Sequence, residues 1–320
     1  MKRKRKKGKF TKKKRPKLDD IILTEPKLHF DKNKIPIREK KKRKFVIPDK
    51  LQNNKRFKIN CRIIHGIKSI ENIYYNGRVH GYINNNGLKK RVRELGYTPG
   101  LCQISVFNPI NKYKGFHLLI KITDDKYPLT ELKCLSNLKE NGYAIGICNS
   151  SKDGIKLIKY YMKGKHKKMN KLGFKGNVKL KDILKYKSIH NPIIKLSSHR
   201  YGEYKIHSDT PNCIRKLDKE IIIDGQPQGN LSKYYTWLGN LVGYNPGACD
   251  MFLWKCSGKY NGFACEFKYG KNKTQKCQNE FIETLKGYGW YVCIAYSSME
   301  MMDELKLYLN PIFHYKFASK

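Results

Sequence analysis

Asp250, Glu266 and Lys268 are the residues of this 320-residue chain whose types and spacing suit hydrolysis at phosphorus. Opening a phosphodiester demands that negative charge on the phosphoryl oxygens be stabilised and that a hydroxide-like nucleophile exist at neutral pH. A carboxylate-held Mg2+ or Mn2+ meets both demands, as a Lewis acid and by lowering the pKa of its bound water. Asp250 and Glu266 can converge on one such ion, and the backbone carbonyl of Phe267 can add a ligand. Lys268 lies two residues beyond Glu266, so strand periodicity puts it on the same face, where its ammonium can orient an attacking water or offset developing charge. The Glu-x-Lys string is uninformative by itself, because it recurs at Glu25, Glu39, Glu131, Glu203 and Glu304. The surrounding elements give it its weight.

Those elements follow from periodicity and turn chemistry. Residues 231–242 read as a helix and 250–254 as a short strand that runs into a Ser257-Gly258 turn. Residues 262–269 form a second strand, with Ala264, Glu266 and Lys268 on one face and Phe263, Cys265, Phe267 and Tyr269 on the other. Thr274 is the expected N-cap of a helix that carries Gln278 near its start and Phe281, Ile282 and Leu285 on one stripe, ended by Gly287 and Gly289. The apolar run 290–296 reads as a buried strand, and Ser297-Ser298 caps a last helix to about Leu309. The order α-β-β-α-β-α specifies a small mixed sheet with flanking helices, an α/β class.

The strings Gly247-Ala248-Cys249-Asp250-Met251, Cys265-Glu266-Phe267-Lys268 and Gln278-Asn279-Glu280-Phe281, followed by Leu285, Gly289 and an apolar strand, resemble the PD-(D/E)XK nucleases, and within them the VRR-NUC (virus-type replication-repair nuclease) branch. The resemblance covers about the last 90 residues. It implies a restriction-endonuclease-like αβββαβ fold in which Asp250 and Glu266 bind Mg2+ or Mn2+, Lys268 is the catalytic lysine and Gln278 contributes from the adjacent helix. It also implies DNA as substrate, branched (a Holliday junction, flap or nick) or double-stranded, in viral replication, recombination or repair. Two features depart from the pattern: Cys249 stands where the family usually has proline, and the helix at 231–242 carries no Glu to complete the metal site. Asp218 and Glu220 are the carboxylates near enough in sequence to substitute, although each reads as a surface charge.

Residues 96–161 align with 243–308 without a gap, and about 19 of the 66 positions are identical. The matches include Gly96-Tyr97 with Gly243-Tyr244, Cys102 with Cys249, Gly115-Phe116 with Gly262-Phe263, Gly142 with Gly289 and Ser150-Ser151 with Ser297-Ser298. Glycines agree where turns should fall, which shared lysines alone cannot produce. In the upstream copy Gln103 stands for Asp250, Leu119 for Glu266 and Glu131 for Gln278, and only Lys121 remains for Lys268. Leucine cannot ligate a metal, so this copy is expected to be inert. The reading is of two tandem nuclease-like domains that form a pseudo-dimer: a disordered basic tail at 1–50, an inactive domain at 60–165, a basic linker at 166–215 and a nuclease-like domain at 216–320.

Composition sets the partner. A total of 68 Lys and Arg against 26 Asp and Glu gives a net charge of +42, costly in self-repulsion unless a polyanion neutralises it. Part of the lysine excess is what an A/T-rich genome encodes whatever the function. Clustering at 2–7, 12–15 and 40–44 goes beyond that, and suits a nuclear-import signal or an arm along a phosphate backbone. No apolar run is long enough to span a membrane and no apolar signal core opens the chain, so an intracellular protein is expected, in a host nucleus or a cytoplasmic viral factory. The 10 cysteines include no Cys-x-x-Cys pair and read as reduced packing residues, and His199, His207 and Cys213 lack a fourth zinc ligand in register. Tyr74-Tyr75 and Tyr234-Tyr235 could stack on unpaired bases, with packing the favoured role. The competing reading is a non-catalytic DNA-binding or packaging protein that keeps the fold. A monomeric pseudo-dimer or a homodimer fits either.

Overall fold

The computed structural model describes residues 49–78, 82, 86–122, 128–172, 193–198, 200–226, 233–245 and 247–310, all within one structural unit, Phe45–Lys320. The basic runs at 2–7, 12–15 and 40–44, together with His199, lie outside the described residues.

The elements run α1 (Asp49–Gln52), α2 (Lys55–Ile67), β1 (Tyr75–Gly77), α3 (Asn86–Glu94), β2 (Ile104–Val106), β3 (Phe116–Ile120), α4 (Leu129–Glu140), β4 (Ala144–Cys148), α5 (Ser151–Met162) and α6 (His166–Leu172). They continue as α7 (Gly202–Leu217), β5 (Ile223–Gly225), α8 (Lys233–Leu241), β6 (Met251–Leu253), β7 (Phe263–Phe267), α9 (Lys276–Gly287), β8 (Tyr291–Ala295) and α10 (Ser298–Leu309). The fold is mixed α/β, with two four-stranded sheets in the orders β1-β2-β3-β4 and β5-β6-β7-β8. In each sheet the first three strands are antiparallel and the last pair is parallel, the crossover being made by α4 or α9.

Corresponding elements keep the sequence spacing of the alignment. Strands starting at 104, 116 and 144 recur at 251, 263 and 291, and helices starting at 129 and 151 recur at 276 and 298, each 147 residues on. Registers match too: Ile104 pairs with Leu118 as Met251 pairs with Cys265. Ser150 and Ser297 cap their helices alike, each hydroxyl accepting the backbone N–H three residues on at 3.1 Å. The expected cap at Thr274 is corrected to Gln275, whose N–H donates to Gln278 Oε1 at 2.8 Å. The amide pair at 275 and 278 satisfies the helix start, so Thr274 stays in the preceding loop.

Alternation along the strands sorts the core into layers. Ile104, Val106, Phe116, Leu118 and Ala144 pack outward against Ile63 and Ile64 of α2 and Leu157 and Ile158 of α5. Met251, Phe263, Cys265, Phe267 and Ala295 pack outward against Ile214 of α7 and Met301 and Leu305 of α10. The opposite faces share one cluster, in which Leu119, Leu135, Ile145 and Ile147 of the first sheet and α4 meet Phe252, Ala264, Phe281 and Leu285 of the second sheet and α9. Phe107 stacks on Trp254 at 5.4 Å between centroids, and Trp254 meets Trp290 edge-on at 5.0 Å. Tyr74 packs against this cluster, with its ring 4.8 Å from that of Phe281, so it serves as packing.

The contacts between the halves are reciprocal. A β-carbon at Gly77 would stand 1.8 Å from the Val242 carbonyl oxygen, and one at Gly225 would stand 1.5 Å from the Leu95 oxygen, so only glycine fits either strand end. Thr98 N–H and hydroxyl donate to Ile223 O at 3.1 and 2.8 Å, while Asn245, the residue aligned with Thr98, donates its N–H to Asn76 Oδ1 at 3.1 Å. This exchange of equivalent contacts is the pattern of an isologous interface. The segment 166–215, expected as a linker, holds α6 and most of α7, and α7 buries His207, Ser208, Thr210, Ile214 and Arg215.

One buried ion pair crosses this interface. Arg78 Nε lies 3.0 Å from both Asp224 oxygens and Nη2 lies 2.5 Å from Oδ2, with the side chains 3% and 1% exposed. Nη1 and Nη2 also donate to Cys102 O and Ser105 Oγ, and Trp254 Nε1 donates to Asp224. Burial alone would lower the Arg78 pKa, but the Asp224 carboxylate overcomes it and holds the guanidinium charged. Arg78→Met strands a buried carboxylate and is expected to cost about 3–5 kcal/mol in chemical denaturation, whereas Arg78→Met with Asp224→Leu recovers at least half of that. Equal losses in the single and double variants would show that shape, not charge, is what the pair contributes.

Candidate active site

The strand that carries Glu266 is held on both sides, by β6 and β8, and its alternation decides which chemistry faces where. Phe263, Cys265 and Phe267 are anchored in the outer layer, so Ala264 and Glu266 must face inward, and Ala264 joins the shared core. Lys268 follows on that side, tied by its backbone N–H to Ala295 O at 2.9 Å. Asp250 precedes β6, where Gln226 N–H donates to its carbonyl at 2.6 Å and its own Oδ2 accepts Phe267 N–H at 2.8 Å. Gly247 lets this loop pass close to α9, since a β-carbon there would stand 2.5 Å from Cys277 O.

These elements bring together all four side chains singled out in the sequence. Lys268 Nζ lies 2.6 Å from Glu266 Oε1, and Gln278 Nε2 donates to the same oxygen. Asp250, Glu266, Lys268 and Gln278 are 3%, 1%, 5% and 9% exposed. Phe267, expected to lend its carbonyl, has a fully buried ring and uses its N–H to orient Asp250. Both donors to Glu266 sit on Oε1, which leaves Oε2 buried without a hydrogen-bond partner. A buried acceptor left without a partner is costly, and a bound cation would satisfy it.

The electrostatics agree. Burial, and next the Glu266 charge, push the Asp250 pKa well above the carboxylate range. Burial raises Glu266 to about 7 even though Lys268 works against it. Burial disfavours the Lys268 ammonium, but Glu266 and then Asp250 and Glu203 hold it charged. In a chain of net charge +42 this pocket gathers more carboxylates than cations, and a divalent cation is the group that would resolve the excess. The donor set therefore fits a hard cation: Asp250 and Glu266 would hold it. Among the described residues no three His, Cys, Asp or Glu side chains close into a preformed metal cluster, so these two carboxylates stand without a third at ligand distance.

Glu203 was missed in the sequence. It lies in the first turn of α7, near enough that its charge raises the proton affinity of Asp250, Glu266 and Lys268. The sole sequence signal for it was a Glu-x-Lys string of the kind set aside as background. The carboxylates proposed instead lie elsewhere: Asp218 pairs with Lys255 at 2.5 Å and Glu220 is exposed. Cys249 is fully buried in the shared core, where burial and the two carboxylates keep its thiol protonated. His207 packs against Phe267, 5.0 Å between ring centroids, and no zinc set forms around it among the described residues.

The upstream positions keep the geometry without the two acidic residues, which are Gln103 and Leu119 there. Gln103 Oε1 accepts Ile120 N–H at 2.6 Å, as Asp250 accepts Phe267 N–H. Leu119 lies in the shared core, and Lys121 Nζ pairs with Glu131 Oε2 at 3.4 Å. Among the described residues the Lys121 ammonium faces the Glu131 carboxylate, and the place of Glu266 is apolar.

No family model matches the chain, and no curated protein matches it. A solved structure described as a VRR_NUC domain protein is similar at 22% identity and a TM-score of 0.22, over 27% of this chain and 66% of that one. A likeness of that extent bears on neither activity nor substrate.

The raised Glu266 pKa gives the metal-free protein a signed pH dependence. The folded state holds this proton up to about pH 7, against a reference pKa of 4.5, so the stability it contributes is full below about 4.5 and is lost as pH rises through 7. The difference in unfolding free energy between the wild type and Glu266→Gln in chelator should shift against the wild type by roughly 3 kcal/mol across that window. A difference that stays constant with pH would mean that Glu266 is already ionised in the metal-free fold.

Proposed function

We propose that this chain is a Mg2+- or Mn2+-dependent endodeoxyribonuclease with one working site, formed by Asp250, Glu266, Lys268 and Gln278. The observation that carries the reading is the unpartnered Glu266 Oε2, buried beside Asp250 in a pocket whose carboxylates outnumber its ammonium group. A divalent cation bound there supplies Lewis-acid stabilisation of a phosphoryl oxygen and a water of lowered pKa.

The chain's own groups do the rest. Phe267 N–H fixes Asp250, while Gln278 and Lys268 fix Glu266 through one oxygen and leave the other for ligation. The Lys268 ammonium stands beside the carboxylate, positioned to hold a water or to offset charge on the phosphate. Lysines spread over the surface attract the DNA backbone by counterion release. The matched element spacing and reciprocal contacts support a pseudo-dimer in which the upstream half, with Gln103 and Leu119 in the acidic positions, serves as scaffold and binding surface. Such an enzyme cuts one strand per encounter. Branched DNA in viral replication, recombination or repair is the substrate and setting that the sequence resemblance implies.

Cleavage of labelled flap, junction, nicked, single-stranded and duplex DNA by the full chain tests this. With Mg2+ or Mn2+ the wild type should cut at least one of them, Asp250→Asn and Glu266→Gln should each lose about a hundredfold or more in rate, and Lys121→Ala should not lose rate. No metal-dependent cleavage of any substrate by the wild type would leave a non-catalytic DNA-binding protein as the better reading.

A further inference from the structure

The inward face of β8 differs sharply from that of β4, its counterpart in the other sheet. Ile147 and Ile294 are the same residue at aligned positions, yet Ile147 is 6% exposed and Ile294 is 43% exposed. Register places Ile294 directly beside Glu266, and carries Tyr296, 45% exposed, alongside Lys268. Tyr269 follows Lys268 and is 56% exposed, with its ring 3.8 Å from where a β-carbon on Gly202 would stand. Tyr201, adjacent to Gly202, is 83% exposed. Ile294 and Tyr296 therefore rim the candidate site along β8, while Tyr269 and Tyr201 stand where the end of β7 meets the start of α7, beside Lys268 and Glu203 in the chain, and all four stay open to solvent.

Among the described residues the upstream half shows no matching ring at the aligned positions. Ile122 aligns with Tyr269 and Asn149 with Tyr296, so the exposed rings occur where the carboxylates are kept. Exposed Lys271 and Lys273 follow Tyr269 in the loop that leads to α9. Rings interleaved with ammonium groups suit a partner that has flat apolar faces on an anionic backbone. An intact duplex hides its bases in the stack and offers none of those faces.

We infer that Tyr201, Tyr269, Ile294 and Tyr296 form a stacking platform for unpaired nucleotides, which places a single-stranded stretch of DNA at the scissile phosphate. This deepens the nuclease reading and rests on it for the position of the phosphate, but binding by the platform is independent of cleavage. Lys271 and Lys273 hold the backbone of the same strand, and the platform selects flaps and unpaired junction arms over continuous duplex.

The test is equilibrium binding of labelled oligothymidylate, and of its duplex with oligodeoxyadenylate, to the full chain in chelator, where nothing is cut. Tyr269→Ala and Tyr296→Ala should each weaken single-strand affinity about tenfold and leave duplex affinity unchanged. Tyr269→Phe and Tyr296→Phe should keep the affinity, and Lys271→Ala with Lys273→Ala should reduce its salt dependence. All these side chains are exposed, so unchanged melting temperatures are expected and serve as the folding control. Alanine variants that bind the single strand as tightly as the wild type, or that lose single strand and duplex equally, overturn the platform. Intact single-strand selectivity in a chain that cleaves nothing would sink the nuclease reading and leave the platform standing.

Discussion

The fold depends on the inward faces of its two sheets, with α4 and α9, burying one another. Outward faces are covered locally, by α2 and α5 on one side and α7 and α10 on the other. The inward faces, with α4 and α9, form a common core around Phe107, Trp254 and Trp290, crossed by the Arg78–Asp224 pair. A buried aromatic of this kind is worth about 3–5 kcal/mol against alanine, so separating the halves would cost far more than a domain's usual margin of stability. The candidate site lies at the margin of that core, on the same strand face as Ala264.

The same arrangement explains how one half can lose its acidic residues without losing its shape. A backbone N–H must be satisfied where β3 and β7 end, and either a glutamine or an aspartate does it: Gln103 for Ile120, Asp250 for Phe267. The position demands an acceptor but not a charge. Leu119 goes further and turns the place of Glu266 into core, adding to the apolar contact between the sheets. Asp250 and Glu266 bear the cost of burying two carboxylates side by side, visible in the raised pKa of each. Sites that carry such a cost are where function is to be sought.

Much of this was legible in the sequence, wherever the signal was periodic or conformational. The alternation through 262–269 placed Glu266 and Lys268 together, glycines and Ser297 marked element ends, and Leu231-to-Val242 periodicity located α8 to within two residues at its start. Strands β1 and β5 escaped because each is three residues long, ends in glycine and carries a polar residue, Asn76 or Asp224, that reads as a turn. Their polarity makes sense only once the partner half is present. Helix α7 escaped because a lysine-rich neighbourhood read as linker, and Glu203 was lost with it. The exposed rim beside the site was invisible for a related reason: Ile147 and Ile294 are identical in sequence, and only packing tells them apart.

In the reading proposed above, one half of the chain binds a metal, the half in which Asp250 and Glu266 are buried together. Counting bound Mn2+ by electron paramagnetic resonance during titration of the full chain tests this without any substrate. One tight site per chain is expected, abolished by Asp250→Asn with Glu266→Gln and untouched by Lys121→Ala. Two equivalent sites per chain, or a tight site that survives the double substitution, would contradict it.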